Sequence, residues 1–353
     1  MTRKFKVDNY NEALPSYVKN NELSLSTRLI AKHYLDEQAE KYNWIELEIE
    51  NFRFFNRLDN SRYFRYKPQY KPPYTESKKG FSNTLARALA KACLDKHERV
   101  SFFDDFDSYY ATSGKKKYAF KNQNIVTSKI NKKERGPDLI CKDSSGEFVI
   151  VECKGRLSPY SEKNLNGFIT QSNNAQVKDI NGYIYQTKHF AVPFYISFNN
   201  DSSSLSIVDP PNEGKSAQDD NINLIERKHY SRVLQNLGYS ELAFQLLEKQ
   251  KEVSDSKFEI QVVTTNIDNN QYVVPEHLFD LFDFFPFYNQ YIYCLELSRF
   301  RQLKEIIQNP YTNFKNFYLE NNFKNNEDNI HLSNDGSFLI RRSEIREIRK
   351  IQI

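Results

Sequence analysis

GPDLICKDSSGEFVIVECKG, residues 136–155, holds two short apolar runs joined by a polar turn. Residues 137–142 and 147–153 are rich in Ile, Leu, Val and Phe, and KDSSG lies between them. That pattern reads as a β-hairpin at the centre of a fold. Its charges need an explanation, because ionised side chains inside apolar strands require partners. Asp138 stands near the start of the first run, and Glu152 and Lys154 end the second. Side chains alternate along a strand, so Glu152 and Lys154 share one face and Val149, Val151 and Cys153 the other. Antiparallel pairing then brings Asp138 close to Glu152. Two carboxylates and one ammonium converge in a small volume.

Two bare carboxylates that close would repel until one took up a proton. A hard divalent cation removes the conflict. Mg²⁺ takes oxygen ligands, commonly one or two carboxylates, and keeps water and substrate phosphate in its other positions. Asp138, Glu152 and the backbone carbonyl of Cys153 are the candidate ligands, with Mn²⁺ as a possible substitute. Lys154 would orient or help deprotonate a metal-bound water and offset charge on the phosphate. Such a set suits phosphodiester hydrolysis. The competing reading is an ion-pair network at a hairpin end.

The arrangement resembles the PD-(D/E)XK nuclease superfamily, which has the restriction-endonuclease-like fold. The resemblance rests on Pro137-Asp138, a gap of 13 residues, then Glu152-Cys153-Lys154, with Gly155 following. It covers roughly residues 80–200. Glu76-Ser77-Lys78 and Glu213-Gly214-Lys215 also fit the bare motif, but neither follows an apolar strand with Pro-Asp upstream. The resemblance implies a metal-dependent nuclease acting on DNA rather than RNA, in bacterial or phage defence, restriction or mobile-element biology. It also implies a supporting Gln on the helix after the motif, for which Gln176 is the candidate. Asp95 is the only acid near the end of the preceding helix, so a fourth acidic ligand is not expected. Cutting a duplex calls for two active sites, hence a homodimer or a partner subunit. The alternative is a catalytically inactive, nuclease-like DNA-binding or scaffold subunit.

Working outward, SNTLARALAKACLDKH (82–97) reads as a helix and VSFF (100–103) and KYAF (118–121) as strands. A helix is expected over 167–181, carrying Gln171, Gln176 and Lys178, and a strand over 189–198. Helix, three strands, helix and strand predict a mixed α/β (α+β) core, a central mixed sheet flanked by helices. The N-terminal region, 1–79, reads as helix within 10–42, capped at Ser26, and strand at WIELEIE (44–50). A basic, Tyr-rich and Pro-broken arm follows at 61–80. There Arg62, Arg65, Lys67 and Lys71 are candidate phosphate contacts and Tyr63, Tyr66 and Tyr70 candidate stacking rings. Lys115, Lys116 and Lys117 form a second candidate phosphate contact. Residues 201–222 read as a linker. The rest, 223–353, reads as mixed but mainly helical: helices at 223–250 and near 293–308, a strand at 257–264, and then SFLI and a basic end (341–350) patterned like a salt-bridged helix.

Bulk properties restrict the classes. A net charge of +4 over 353 residues is too small for a polycation, so any nucleic-acid site is a local surface. No apolar run approaches the ~18 residues of a membrane span, and the first residues lack a signal-peptide core. A cytoplasmic protein is therefore expected. The 4 Cys form no CxxC and the 6 His no HExxH, which argues against zinc and against a disulfide framework.

Overall fold

A computed structural model of the chain describes residues 2–7, 15–109, 125–179, 182–199, 201–208, 224–247, 259–267, 270–278, 291–309, 314, 333–345 and 347–353. The chain divides into two compact units. The first comprises Met1–Ile30 and Arg57–Ile225, the second Ala31–Asn56 and Glu226–Ile353.

The chain opens with β1 (Thr2–Val7), β2 (Glu22–Ser26), α1 (Thr27–Gln38) and α2 (Trp44–Arg57). There follow α3 (Thr75–Glu98), β3 (Val100–Asp105), β4 (Ile125–Ser128), β5 (Leu139–Asp143) and β6 (Phe148–Arg156). Next come α4 (Glu162–Asn173), β7 (Gln176–Asp179), β8 (Ile184–Tyr185), β9 (Thr187–Tyr195) and β10 (Ser204–Leu205). The second unit continues with α5 (Leu224–Asn236), α6 (Ser240–Leu247), β11 (Gln261–Ile267), β12 (Asn270–Val273), β13 (Tyr291–Glu296), α7 (Leu297–Gln308), β14 (Ser337–Arg341) and β15 (Ile348–Gln352).

In the first unit seven strands form a mixed sheet in the order β2-β1-β10-β9-β6-β5-β3. The β5–β6 hairpin is antiparallel, with Leu139 opposite Val151, and β6 runs parallel to β9, with Glu152 opposite Ala191. Residues 148–153 of β6 are buried, as a strand with neighbours on both edges and layers on both faces must be. The turn closes on Asp143, whose Oδ1 accepts from Ser145 N (2.9 Å) and Glu147 N (3.0 Å). Gly146 supplies the positive φ of 86°.

Helix α3 packs along β6, and its Leu85, Ala86, Leu89 and Cys93 are all 0% exposed. Its small side chains bring the helix very close to the strand. A Cβ on Gly155 would lie 1.9 Å from the Ser82 carbonyl oxygen, so only glycine fits there. Helix α4 covers the opposite face. Its Leu165 is buried with Ala191 and Val208, and Phe168 and Ile169 pack alongside. Ala191 is in register with Glu152, so Glu152 points to the α4 face. Within the main sheet and its helices the order α3-β3-β5-β6-α4-β9 is the expected helix, three strands, helix, strand, but β4, β7 and β8 fall between these elements and form a separate three-stranded sheet, β4-β7-β8.

The second unit holds an antiparallel sheet, β14-β13-β12-β11-β15, whose buried side includes Val263, Tyr272, Ile292, Cys294, Phe338 and Ile340. A fully buried ion cluster lies in this unit. Asp335 Oδ2 receives Lys32 Nζ at 2.5 Å and His229 Nε2 at 2.6 Å, and Lys32 also meets Asp36 Oδ2 at 3.1 Å.

Several expectations change. The 44–50 stretch is helical, not a strand. Its buried positions are Leu47, Glu50, Asn51 and Phe54, a helical spacing. Asn43 and Glu46 close a reciprocal cap, with Asn43 N donating to Glu46 Oε2 (2.9 Å) and Glu46 N to Asn43 Oδ1 (3.1 Å). The 82–97 helix starts earlier, at Thr75. The 167–181 helix ends at Asn173, and β7 pairs with β4 instead, burying Val177. The 223–250 helix is two helices, α5 and α6, separated at Gly238, whose φ is +84°. The basic end is not a helix. It forms the end of β14, a short 3-10 turn (Arg342–Glu344) and β15, paired with β11. The C-terminal region is thus built on a sheet rather than mainly on helices. The N-terminal residues do not form a separate region either, since β1 and β2 join the main sheet. KYAF (118–121) lies outside the described residues.

Candidate active site

The hairpin brings Asp138, Glu152 and Lys154 together. Lys154 Nζ lies 2.6 Å from Glu152 Oε1 and 3.2 Å from Asp138 Oδ2. Asp138 Oδ2 also accepts from Cys153 N at 2.9 Å. The side chain of Asp138 thereby takes up the strand amide just beyond the last β5–β6 pair. In a strand the N–H and C=O of one residue point the same way, so the Cys153 carbonyl shares the side on which Asp138 lies.

Exposure differs among the three. The Glu152 side chain is 0% exposed, against 28% for Asp138 and 25% for Lys154. Beyond Lys154 and the Asp138 carboxyl, no described residue donates to either oxygen of Glu152. Burial pushes Glu152 up from 4.5 to about 9; the Asp138 charge adds to the rise and Lys154 opposes it. Burial works to lower the Lys154 ammonium, but Asp138 and Glu152 outweigh it and hold it above its ordinary 10.5. The group therefore brings together one ammonium, one partly exposed acid and one buried carboxyl that needs a proton or a second positive charge.

The Gly136-Pro137-Asp138 segment is pinned from both sides. Gln171 of α4 donates from Nε2 to the Gly136 carbonyl at 2.6 Å. Arg87 of α3 donates to the Asp138 carbonyl at 3.4 Å and pairs with Asp105. Phe106 N donates to the same Asp138 carbonyl at 3.1 Å. Gln176 does not take this position. It lies on β7, opposite Ser128. Gln171 is the glutamine that the sequence reading passed over, and its signal was its place on a helix that Asn173 and Asn174 bring to an end. Arg87 carried no signal, since an arginine on an amphipathic helix is ordinary.

A divalent cation fits this donor set chemically: two carboxylates, one of them fully buried, and a strand carbonyl. Among the described residues no group of three or more His, Cys, Asp or Glu is placed to hold a metal ion, so any further ligands would be carbonyl, water or substrate oxygens. The Cys153 thiol is buried and pushed well above its ordinary range, which removes it as a ligand or nucleophile in this state.

The basic candidates fare unevenly. Arg65 is paired with Asp59. Arg62 lies over the Tyr63 ring, 4.9 Å from its centroid, and Tyr63 donates to Glu22. Tyr66 is 2% exposed, in a ring cluster with Phe81 and Phe198. Lys67 is half-buried and Lys71 exposed. Lys115, Lys116 and Lys117 lie outside the described residues. No described helix is long and apolar enough to cross a membrane.

Comparison of the chain with protein-family models, with curated proteins and with solved structures returns no match.

Proposed function

We propose that the chain is a metal-dependent nuclease that hydrolyses phosphodiester bonds, with DNA as the substrate. The observation that carries this reading is Glu152, a fully buried carboxyl beside Asp138, whose Oε1 meets only the Lys154 ammonium it shares with Asp138 and whose Oε2 receives no donor among the described residues. Structural carboxylates are rarely left so. Asp138, Glu152 and the Cys153 carbonyl would hold Mg²⁺ or Mn²⁺, which supplies Lewis-acid stabilisation of the phosphate charge.

The chain's own groups do the rest. Lys154 stays protonated near neutral pH, so it donates. It orients the attacking water and faces the negative phosphate, and it is not the group that removes the proton. The attacking water gives a proton up to solvent as its oxygen forms the new P–O bond, the bond to the leaving oxygen breaks, and that oxygen takes a proton from solvent. Gln171 and Arg87 are positioning residues that hold the Asp138 loop to the hairpin.

A second reading has its own support. Lys154 touches both carboxylates, so the three groups can be a self-contained ion network in a nuclease-like scaffold that does not cut.

The test is cleavage of supercoiled plasmid, single-stranded DNA and RNA with Mg²⁺, Mn²⁺ or EDTA. Wild type is compared with Lys154→Ala and Gln171→Ala. The nuclease reading expects metal-dependent cutting that Lys154→Ala abolishes. It expects Gln171→Ala to slow cutting about tenfold or more, as lost supporting contacts do at metal sites. No cutting of any substrate, with no Mg²⁺ bound by calorimetry, would leave the scaffold reading.

A further inference from the structure

Residues 67–80, KPQYKPPYTESKKG, stand out from the first unit. From Pro68 to Gly80 every residue but Pro72 and Lys78 is exposed, and the first turns of α3 bury nothing before Ser82. Tyr74 is 74% exposed and Tyr70 41%. Tyrosines more often bury the ring and leave only the hydroxyl wet.

The rings sit on a stiff backbone. Pro68, Pro72 and Pro73 fix three φ angles. Tyr70 N donates to Lys67 O (3.1 Å), Lys71 N to Pro68 O (3.1 Å) and Lys78 N to Tyr74 O (2.9 Å). A ligand meeting Tyr70 and Tyr74 therefore pays little ordering entropy in the protein. The charges point to the class of ligand. Lys71, Lys78 and Lys79 have no side-chain hydrogen bond or ion pair among the described residues, and Glu76 is the one acid in 67–80.

The root of the segment lies at the same end of the sheet as the candidate site. Tyr66 N donates to Ser197 O at 3.1 Å, and Ile196 N donates to Arg156 O at 2.8 Å, two residues beyond Lys154. On α3, Ser82 abuts Gly155, the residue next to Lys154.

We infer that residues 70–79 bind single-stranded nucleic acid and lead it to the Asp138–Glu152–Lys154 site. Unpaired bases stack on Tyr70 and Tyr74, and Lys71, Lys78 and Lys79 meet the backbone phosphates. Alternating rings and ammonium groups are the usual equipment for an unpaired strand, because each base offers a stacking face and each nucleotide a charge. A duplex keeps its base faces covered and cannot use the tyrosines. This names the substrate class of the nuclease reading and rests on it, but binding is measurable without cleavage.

The experiment is fluorescence anisotropy of the full chain in EDTA with labelled oligothymidylate, oligouridylate and a duplex of equal length. Oligothymidylate is expected to bind at least about tenfold more tightly than the duplex. Tyr74→Ala should weaken it about fivefold or more, the lower end for one lost stacked base. Lys78→Ala with Lys79→Ala should lower the salt slope by about 1.4, at about 0.7 for each phosphate on a single strand. Tighter binding of oligouridylate would support single-strand stacking and assign RNA as the source. Equal or tighter duplex binding, or an unchanged Tyr74→Ala, would overturn the inference. The loss on Tyr74→Ala is read in EDTA, where nothing is cut, so it stands apart from the nuclease reading. Wild-type protein that binds the single strand yet cuts nothing sinks the nuclease reading alone.

Discussion

Replacing Glu152 by glutamine should make the metal-free protein more stable at neutral pH. In the folded state the buried carboxyl holds its proton up to about pH 9, whereas in the unfolded chain it ionises near 4.5. A carboxyl raised in this way contributes its full stability below the unfolded value and loses it as pH rises toward the folded one. Between pH 4.5 and 9 the unfolded state therefore gains on the folded state by about 1.4 kcal/mol per pH unit. At pH 7 that amounts to about 3 kcal/mol, which glutamine, having no proton to lose, does not forfeit. Lys154 adds no slope in this window, because its ammonium is held above 10.5. The assay is urea unfolding in EDTA at pH 5, 7 and 8.5 for both proteins. The variant's advantage should be small at pH 5 and grow with pH. Mg²⁺ should stabilise the wild type by mass action, most at high pH, and leave the variant nearly unmoved. Should glutamine destabilise the protein by the same amount at every pH, Glu152 would be an ionised structural partner of Lys154. The argument for a cation would then fail.

Gly155→Ala should cost about 3 kcal/mol or more, because its Cβ would fall 1.9 Å from the Ser82 carbonyl oxygen and 3.0 Å from Ala86 Cβ, where helix backbone cannot give way. Urea unfolding checks it, and a loss below about 0.5 kcal/mol would show that α3 and β6 separate easily. Asp335→Ala in the second unit should cost about 3–5 kcal/mol, since it strips a buried charge from Lys32 and His229. Burial raises the Asp335 carboxyl, but Lys32 and His229 outweigh it and hold it well below 3.8. Its contribution is therefore complete above pH 4 and fades only as pH falls below the ordinary carboxylate range, which acid unfolding of wild type and variant would trace.

The core of the first unit was legible because its signals are local. Apolar runs at 139–142 and 148–151 flank a turn that Asp143 and Gly146 close, and alternation along β6 puts Glu152 and Lys154 on one face. Three errors share one cause: short windows in which two periodicities fit. WIELEIE alternates, but the Asn43–Glu46 cap and the next seven residues make it a helix. Gln176 follows a helical stretch, but pairing with β4 claims it for a strand. The alternating charges of 341–350 suit either a helix surface or an exposed edge strand such as β15, and β11 decided between them.

From residue types and their spacing alone came the hairpin, the two acids and one base at its end, and the mixed α/β core. What lies far apart in the chain was decided by tertiary structure. Gln171 reaches Gly136 across 35 residues, and Arg87 reaches Asp138 across 51. Packing also sorted the tyrosines, burying Tyr66 against Phe81 and Phe198 and leaving Tyr74 in water. The electrostatic state of the site depends on the same step. Glu152 is an ordinary carboxylate in the sequence and becomes a proton-holding one only when β5, β9 and α4 exclude water from it.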